Sequence, residues 1–521
     1  MRTPLRALDG EKYDVVIIGA GVNGASAAQH LSAAGYSVLL IDKGDFASGA
    51  SSRSSRLLHC GLRYLAPGAS MWDFVRHPGM LATALRMAKQ AMESRAQLVT
   101  TAPKRTRPMK FHFPIYRDGP YANWQIGLAF RILRAFGPNS VPLDYRQLSP
   151  SEIRSTPLVR WLRDLERLVG VAGFREYQFE WPERICMDTI LDAERMGAAV
   201  RNYTCAVKIE RDNHDEWRLV VADMFAPEDT AVVNARMLLN MAGIWIDRVN
   251  GIAGARAHRC ITGTKGVHVM FRLPPECEGY GVATINRDKE PFYCVPWRGL
   301  HYFGPTETLY EGDIDDIRPL EEEVQWIIDE ANYLLPELRL KRAKMLFAWA
   351  GVRPLTYDPS MPKGKRSRQM HEFAAEGLNN LIALTAGPVM THRSAGVELT
   401  NKVRNRIPPS RPPQKLSYAA QLYPRDLESP PLLDDYLEIK MSDLRIAAQQ
   451  EHPETLTDLM FRRVGAGWTA TMGFEAAERA ATVVADVMNW DVARVSDEVR
   501  RYREYLAEKH LLNPADSVSK R

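Results

Sequence analysis

Three glycines and one aspartate make the clearest chemical statement in this chain. Val15-Val16-Ile17-Ile18 is an unbroken apolar run, the pattern of a parallel strand buried on both faces. Gly19-Ala20-Gly21-Val22-Asn23-Gly24 follows at once, then a helical pattern over residues 25–34 that Gly35 ends. A second β-rich run, Ser37-Val38-Leu39-Leu40-Ile41, closes on Asp42. In this strand, turn, helix, strand setting the spacing reads as a dinucleotide site. Gly19 lets the chain turn tightly, Gly21 admits a pyrophosphate against bare backbone, and Gly24 lets helix and strand pack closely. The helix N-terminus supplies N–H groups and a partial positive charge for the phosphates. Asp42 is placed to accept hydrogen bonds from an adenosine ribose, with Lys43 beside it in the same site. The alternative is a glycine turn of purely structural use, which would not require the acid at the end of the second strand.

The chain around this unit is large enough to position a second reactant. Its 521 residues allow two or three domains with a sizeable core. Hydrophobic residues make up 45% and charged residues 25%, an ordinary globular balance. A net charge of +5 is too small at this length to indicate nucleic-acid binding. The six cysteines show neither CxxC pairing nor metal-like spacing with histidine, and read as reduced, mostly buried thiols. Met1 to Asp9 lacks the apolar stretch of a signal peptide, and no uncharged apolar run approaches the ~18 residues of a membrane span. The expectation is a soluble cytoplasmic protein, or a peripheral one on the inner face of the membrane. Residues 124–136 form an amphipathic helical pattern with two arginines. It suits a core-facing helix better than a membrane-surface contact.

The next segment carries a resemblance. Ser48-Gly49-Ala50-Ser51-Ser52-Arg53-Ser54-Ser55-Arg56-Leu57-Leu58-His59-Cys60-Gly61-Leu62-Arg63-Tyr64-Leu65 resembles the second signature of the FAD-dependent glycerol-3-phosphate dehydrogenases. Pro108-Met109-x-Phe111-x-x-Pro114, Ala242-Gly243-x-Trp245, Lys265-Gly266-x-His268, Gly351-Val352-Arg353-Pro354-Leu355 and the C-terminal Glu498-Val499-x-x-Tyr502 also resemble that family. The resemblance covers nearly the whole chain. It implies an α/β fold: a Rossmann-like FAD-binding domain, an antiparallel-sheet substrate domain and a C-terminal helical domain. The expected division places residues 1–105, 173–260 and 345–405 in the FAD domain and 106–172 and 261–344 in the substrate domain. Residues 406–435, rich in proline, read as a linker, and 436–521 as the helical domain.

The family likeness also implies site residues. Ser51, Ser52 and Ser54 suit a loop wrapping the cofactor, while Gly243 and the Ala386-Gly387 turn would close over the flavin. Arg63, Arg353 and Arg368 match motif positions that bind a phosphorylated polyol, and Tyr64 adds a hydroxyl. His268 is the implied base, since oxidising an alcohol requires loss of its O–H proton as hydride leaves; Arg353 is counted with it as catalytic. Glycerol 3-phosphate is the implied substrate, with quinone or another acceptor taking the electrons. The departures fall on the pocket side. Where the family reads Gly-Gly-Lys-Leu-Thr-Thr-Tyr, this chain has Ala386-Gly387-Pro388-Val389-Met390-Thr391-His392; Cys60 and the Pro305-Thr306-Glu307 run differ too. A flavin oxidase of amines or hydroxy acids, using oxygen, and a non-catalytic flavoprotein are the alternatives.

Overall fold

The computed structural model describes residues 2–66, 78–212, 216–255, 259–359, 366, 368–385, 387–418, 420, 423–434 and 436–512. Ala386 lies outside these described residues.

The apolar run expected to be a buried strand is Lys12–Ile18, at the centre of the first sheet. It pairs in parallel with Val38–Ile41 on one side and Thr230–Asn240 on the other. Leu378–Leu384 and Ala199–Arg201 extend the parallel array outward. Val15, Val16 and Ile17 are fully buried because helices or further strands cover both faces. On one of these faces lie Val22–Ala33, Pro182–Arg195 and His392–Arg404. The first helix begins at Val22, earlier than its apolar pattern suggests, because small residues rather than large ones fill its first turn.

The second sheet contains ten strands among the described residues. Ile261–Phe271 pairs antiparallel with Phe347–Thr356, Leu300–Gly304 and Thr308–Tyr310. Thr106–Tyr116 pairs along its length with Leu168–Phe179. Two expected domain boundaries therefore move. Residue 173 falls inside Leu168–Phe179, and residue 345 just precedes Phe347–Thr356; both strands belong to the second sheet. The chain returns to the cofactor sheet only after these strands end. Strand composition does not change where a chain leaves one sheet for another, so sequence patterning does not mark the crossing.

Asn123–Phe136 buries Ile126, Ala129, Phe130 and Leu133, as the core-facing reading requires. The proline-rich segment runs along the cofactor domain, where Arg411 N–H donates to Gly35 O at 2.8 Å and Gln414 N–H to Ala33 O at 2.7 Å. Beyond it lie the helices Met441–Gln450, Ala477–Met488 and Val492–His510, with a π-helical turn at Asp458–Arg463. These helices share one hydrophobic cluster with the second sheet, where Trp468, Phe461 and Leu506 join Trp297, Phe347 and Trp349. No helix among the described residues is long and apolar enough to cross a membrane.

Candidate active site

The glycine turn is built as its spacing requires. Gly19 has φ +106°, and a Cβ on it would lie 2.5 Å from Met241 O. A Cβ on Gly24 would lie 1.8 Å from Gly19 O, so no larger residue fits beneath the helix. Gly21 is the residue before the helix and has no side chain to cap it. Ser51 Oγ reaches over this turn to accept Val22 N–H at 3.0 Å. Asp42 accepts from Ala20 N–H at 2.7 Å through one oxygen and from Gly44 N–H at 2.9 Å through the other. Burial raises its carboxyl to about 6 against those two hydrogen bonds. Lys43 sits 4.4 Å from the Trp245 ring centroid and pairs with Asp315 at 2.5 Å. Gly243, with φ +60°, begins the short 3-10 turn that ends at Trp245, and nothing lies within 4 Å of where its Cβ would be. Ser52 Oγ donates to Gly49 O at 3.0 Å, Ser54 Oγ accepts from Arg56 N–H at 3.2 Å, and Gly387 packs beside Thr391 and Arg368.

From this cradle the serine loop crosses onto the second sheet. Cross-strand register places His268 opposite Trp349, Gly266 opposite Gly351, and Thr264 opposite Arg353. Residues two apart share a face, so His268, Trp349, Gly351 and Arg353 all project from one side. The loop lies against that side, where a Cβ on Gly351 would stand 2.5 Å from Arg53 Cβ. Two residues on, Ser55 Oγ is 3.1 Å from His268 Nε2. Tyr302 O–H donates to Ser55 O. His268 stacks on Trp349 at 4.8 Å and 11°, and its buried Nδ1 has no hydrogen-bond partner. Burial, then the Arg56 and Arg353 charges, push its imidazole down to about 3, so it is neutral through the physiological range.

The arginines gather at the end of this face. Arg353 pairs with Glu307 at 2.9 Å, and its side chain is 37% exposed. Arg63, on the short helix Leu62–Leu65, lies 5.9 Å from the Tyr64 ring centroid. Both arginines act electrostatically on Tyr64, Tyr293 and His59. Thus Arg63, Tyr64, Arg353 and His268 are brought to one region. Arg368 is not among the charges acting on these groups. Its guanidinium is spent on Glu398 at 2.6 Å, Ser394 Oγ at 3.2 Å and Thr391 O at 3.2 Å, which ties it to the His392–Arg404 helix. Sequence reasoning passed over His59, Tyr293 and Glu307 as site residues. His59 stood inside the quoted signature, with both ring nitrogens now buried and unpartnered and its imidazole pushed down to about 3 by burial, Arg63 and Arg353. Glu307 becomes visible only once a separate strand carries Arg353 to it.

A glycine cradle at a helix N-terminus, an acid just past the second strand and a neutral imidazole on the adjoining sheet define a dinucleotide-dependent oxidoreductase. Residues 14–393 match the family of FAD dependent oxidoreductases, and the chain belongs to that family; FAD is its cofactor. The turn Gly19–Gly24, Asp42 and the open ground over Gly243 are the residues that fit it. The chain is 28% identical to a glycerol-3-phosphate dehydrogenase of Synechocystis, over 95% of this chain and 96% of that one. An aerobic glycerol-3-phosphate dehydrogenase of Staphylococcus haemolyticus is 26% identical, over 77% of this chain and 68% of that one. Among solved structures, an FAD complex of glycerol-3-phosphate dehydrogenase from Bacillus halodurans superposes with a TM-score of 0.72 at 20% identity, covering 97% of this chain and 96% of that one.

Replacing Gly24 by alanine is expected to abolish flavin retention, because the added methyl collides with the Gly19 carbonyl and lifts the helix from its strand. The flavin-to-protein absorbance ratio of the purified variant checks this.

Proposed function

We propose that this chain oxidises a phosphorylated polyol, sn-glycerol 3-phosphate above others, to the corresponding ketone, dihydroxyacetone phosphate. The observation that carries the reading is the pair Arg63 and Arg353 converging with Tyr64 and Tyr293 beside the face that holds His268. A phosphate dianion needs fixed cations, and arginine forks suit it. FAD, when bound, accepts the hydride. His268, whose Nε2 is bonded to Ser55, takes the hydroxyl proton. The cofactor residues of the reading are Gly19, Gly21, Gly24, Asp42, Lys43, Ser51, Ser52, Ser54, Gly243 and Gly387. Arg368, committed to Glu398, is assigned to holding the Gly387 turn rather than the phosphate.

Arg353→Ala is expected to remove one charge-assisted contact, about 1.5–3 kcal/mol, and so to raise KM for glycerol 3-phosphate roughly 10- to 150-fold. Flavin content should be unchanged; loss of flavin in this variant would contradict the role assigned. Glu307→Gln works in the opposite direction. It frees Arg353 from a carboxylate 2.9 Å away, and KM for the phosphorylated substrate is expected to fall several-fold. For an amine substrate, the reading of a flavin oxidase, the same change would raise KM.

Electrons are then passed to quinone, a reading supported by the likeness to aerobic dehydrogenases. A peripheral membrane contact would use the outer side of Asn123–Phe136, where Trp124 is 67% and Leu128 41% exposed. Reoxidation of the reduced protein by a soluble quinone faster than by oxygen tests the acceptor.

A further inference from the structure

One arginine of the serine loop turns its guanidinium away from the phosphate cluster and into the hydrophobic core. Arg56 is 1% exposed, with a left-handed backbone at φ 56°. Its Cζ lies 4.2 Å from the Trp297 ring centroid, 4.8 Å from Trp349 and 4.2 Å from Trp468. Nη1 reaches Ser52 O at 3.4 Å, while Nε and Nη2 have no hydrogen-bond partner. A buried charge needs compensation, and here the nearby Glu183 carboxylate and the three aromatic faces supply it. Each wall of this box is itself fixed. Trp297 Nε1–H donates to Glu180 O at 2.8 Å and Trp468 Nε1–H to Glu183 Oε1 at 2.9 Å. Trp349 stacks on His268.

The walls come from different domains. Trp297 and Trp349 stand on the second sheet, and Trp468 on the 3-10 turn Ala466–Trp468 of the helical domain. Phe461 packs edge-on to Trp468 at 5.0 Å, and His510, at the end of the last helix, bonds Ala348 O at 2.8 Å on the strand that carries Trp349. Ser55, the neighbour of Arg56, holds His268 Nε2. Fixing Arg56 therefore fixes both supports of the imidazole, the ring it stacks on and the hydroxyl it bonds.

We propose that Trp468 and Arg56 are positioning residues for proton abstraction: the helical domain closes an aromatic box on Arg56 and so seats His268 against Ser55 and Trp349. This rests on His268 being the base. The box gives the C-terminal domain a part in the chemistry although none of its described residues lies in the arginine cluster.

Anaerobic stopped-flow reduction of the FAD-loaded full chain by glycerol 3-phosphate tests it. Trp468→Ala is expected to lower the limiting rate of flavin reduction about tenfold, with apparent Kd within about twofold and flavin content unchanged. Trp468→Phe, which keeps an aromatic wall, should restore most of the rate. Val484→Ala, in the buried core of the same domain, should leave it unaltered. In protein labelled with carbon-13 histidine, the His268 ring resonance should move in Trp468→Ala as the Trp349 stack loosens. A wild-type reduction rate in Trp468→Ala, an equal loss in Val484→Ala, or an unmoved His268 resonance would overturn the proposal. The resonance reports seating without any substrate, whereas wild-type reduction in His268→Gln would reject the base and leave the box standing.

Discussion

His268→Gln is expected to lower the rate of flavin reduction by roughly 10²- to 10⁴-fold, the usual contribution of a positioned general base. Glutamine keeps a polar group within reach of Ser55 but offers no basic nitrogen. Flavin content and KM should change little, because the cradle and Arg63 lie outside the change. The charge state of the native imidazole sets the pH dependence. Burial, Arg56 and Arg353 push it down to about 3, so the proton-accepting form prevails above that value. The reaction should therefore show no histidine limb between about pH 5 and about pH 8. Stopped-flow reduction across that range checks both statements, and a limb near pH 6.5 that vanishes in His268→Gln would place the titration elsewhere than the structure does.

Asp45→Asn carries the largest expected cost in stability. The Asp45 carboxylate is fully buried where the cofactor domain meets the helical domain. It accepts from Arg462 Nε at 2.5 Å, from Arg463 Nη1 at 2.8 Å and Nη2 at 2.7 Å, and from Asn202 Nδ2 at 2.8 Å. Burial opposes its ionisation, but Arg463 and Arg462 outweigh burial and hold it well below the usual carboxylate range. Asparagine would take the carboxylate from buried Arg463 and leave buried Arg462 with Asp458 alone, and breaking such a pair from one side costs about 3–5 kcal/mol. The depressed pKa fixes the sign of the pH effect. Its contribution is present above the unfolded carboxyl value and lost as pH falls toward the folded one. Thermal unfolding should show a lower Tm for the variant at neutral pH and a gap that narrows on acidification. An unchanged Tm would show that the two arginines find other partners.

The cofactor half was legible in the sequence because its determinants are local. Gly19, Gly24 and Asp42 lie within one strand, turn, helix, strand unit, where Gly24 is held against Gly19 O and Asp42 against Ala20 N–H; the Met241 contact on Gly19 comes from a distant strand end. The strands and helices of the second domain were legible in kind from alternation and periodicity. Its borders at residues 173 and 345 were not, since a strand looks alike in either sheet. The site residues divide in the same way. Arg63 and Tyr64 are adjacent, and Arg353 and His268 sit in short motifs that the register then places on one face. Arg368 also sits in a motif-like segment, but its fate was decided by Glu398, thirty residues on in the His392–Arg404 helix. Glu307 beside Arg353, and the three tryptophans around Arg56, depend on contacts between elements far apart in the chain. No spacing announces them.

In the proposed reaction Arg63 and Arg353 present a phosphorylated alcohol to the flavin with His268 at hand. Anaerobic addition of glycerol 3-phosphate to the purified yellow protein tests it most directly. The visible flavin absorbance is expected to bleach, with dihydroxyacetone phosphate accumulating in equal amount. A flavin that stays oxidised with glycerol 3-phosphate, yet bleaches with an amine or an unphosphorylated hydroxy acid, would contradict it.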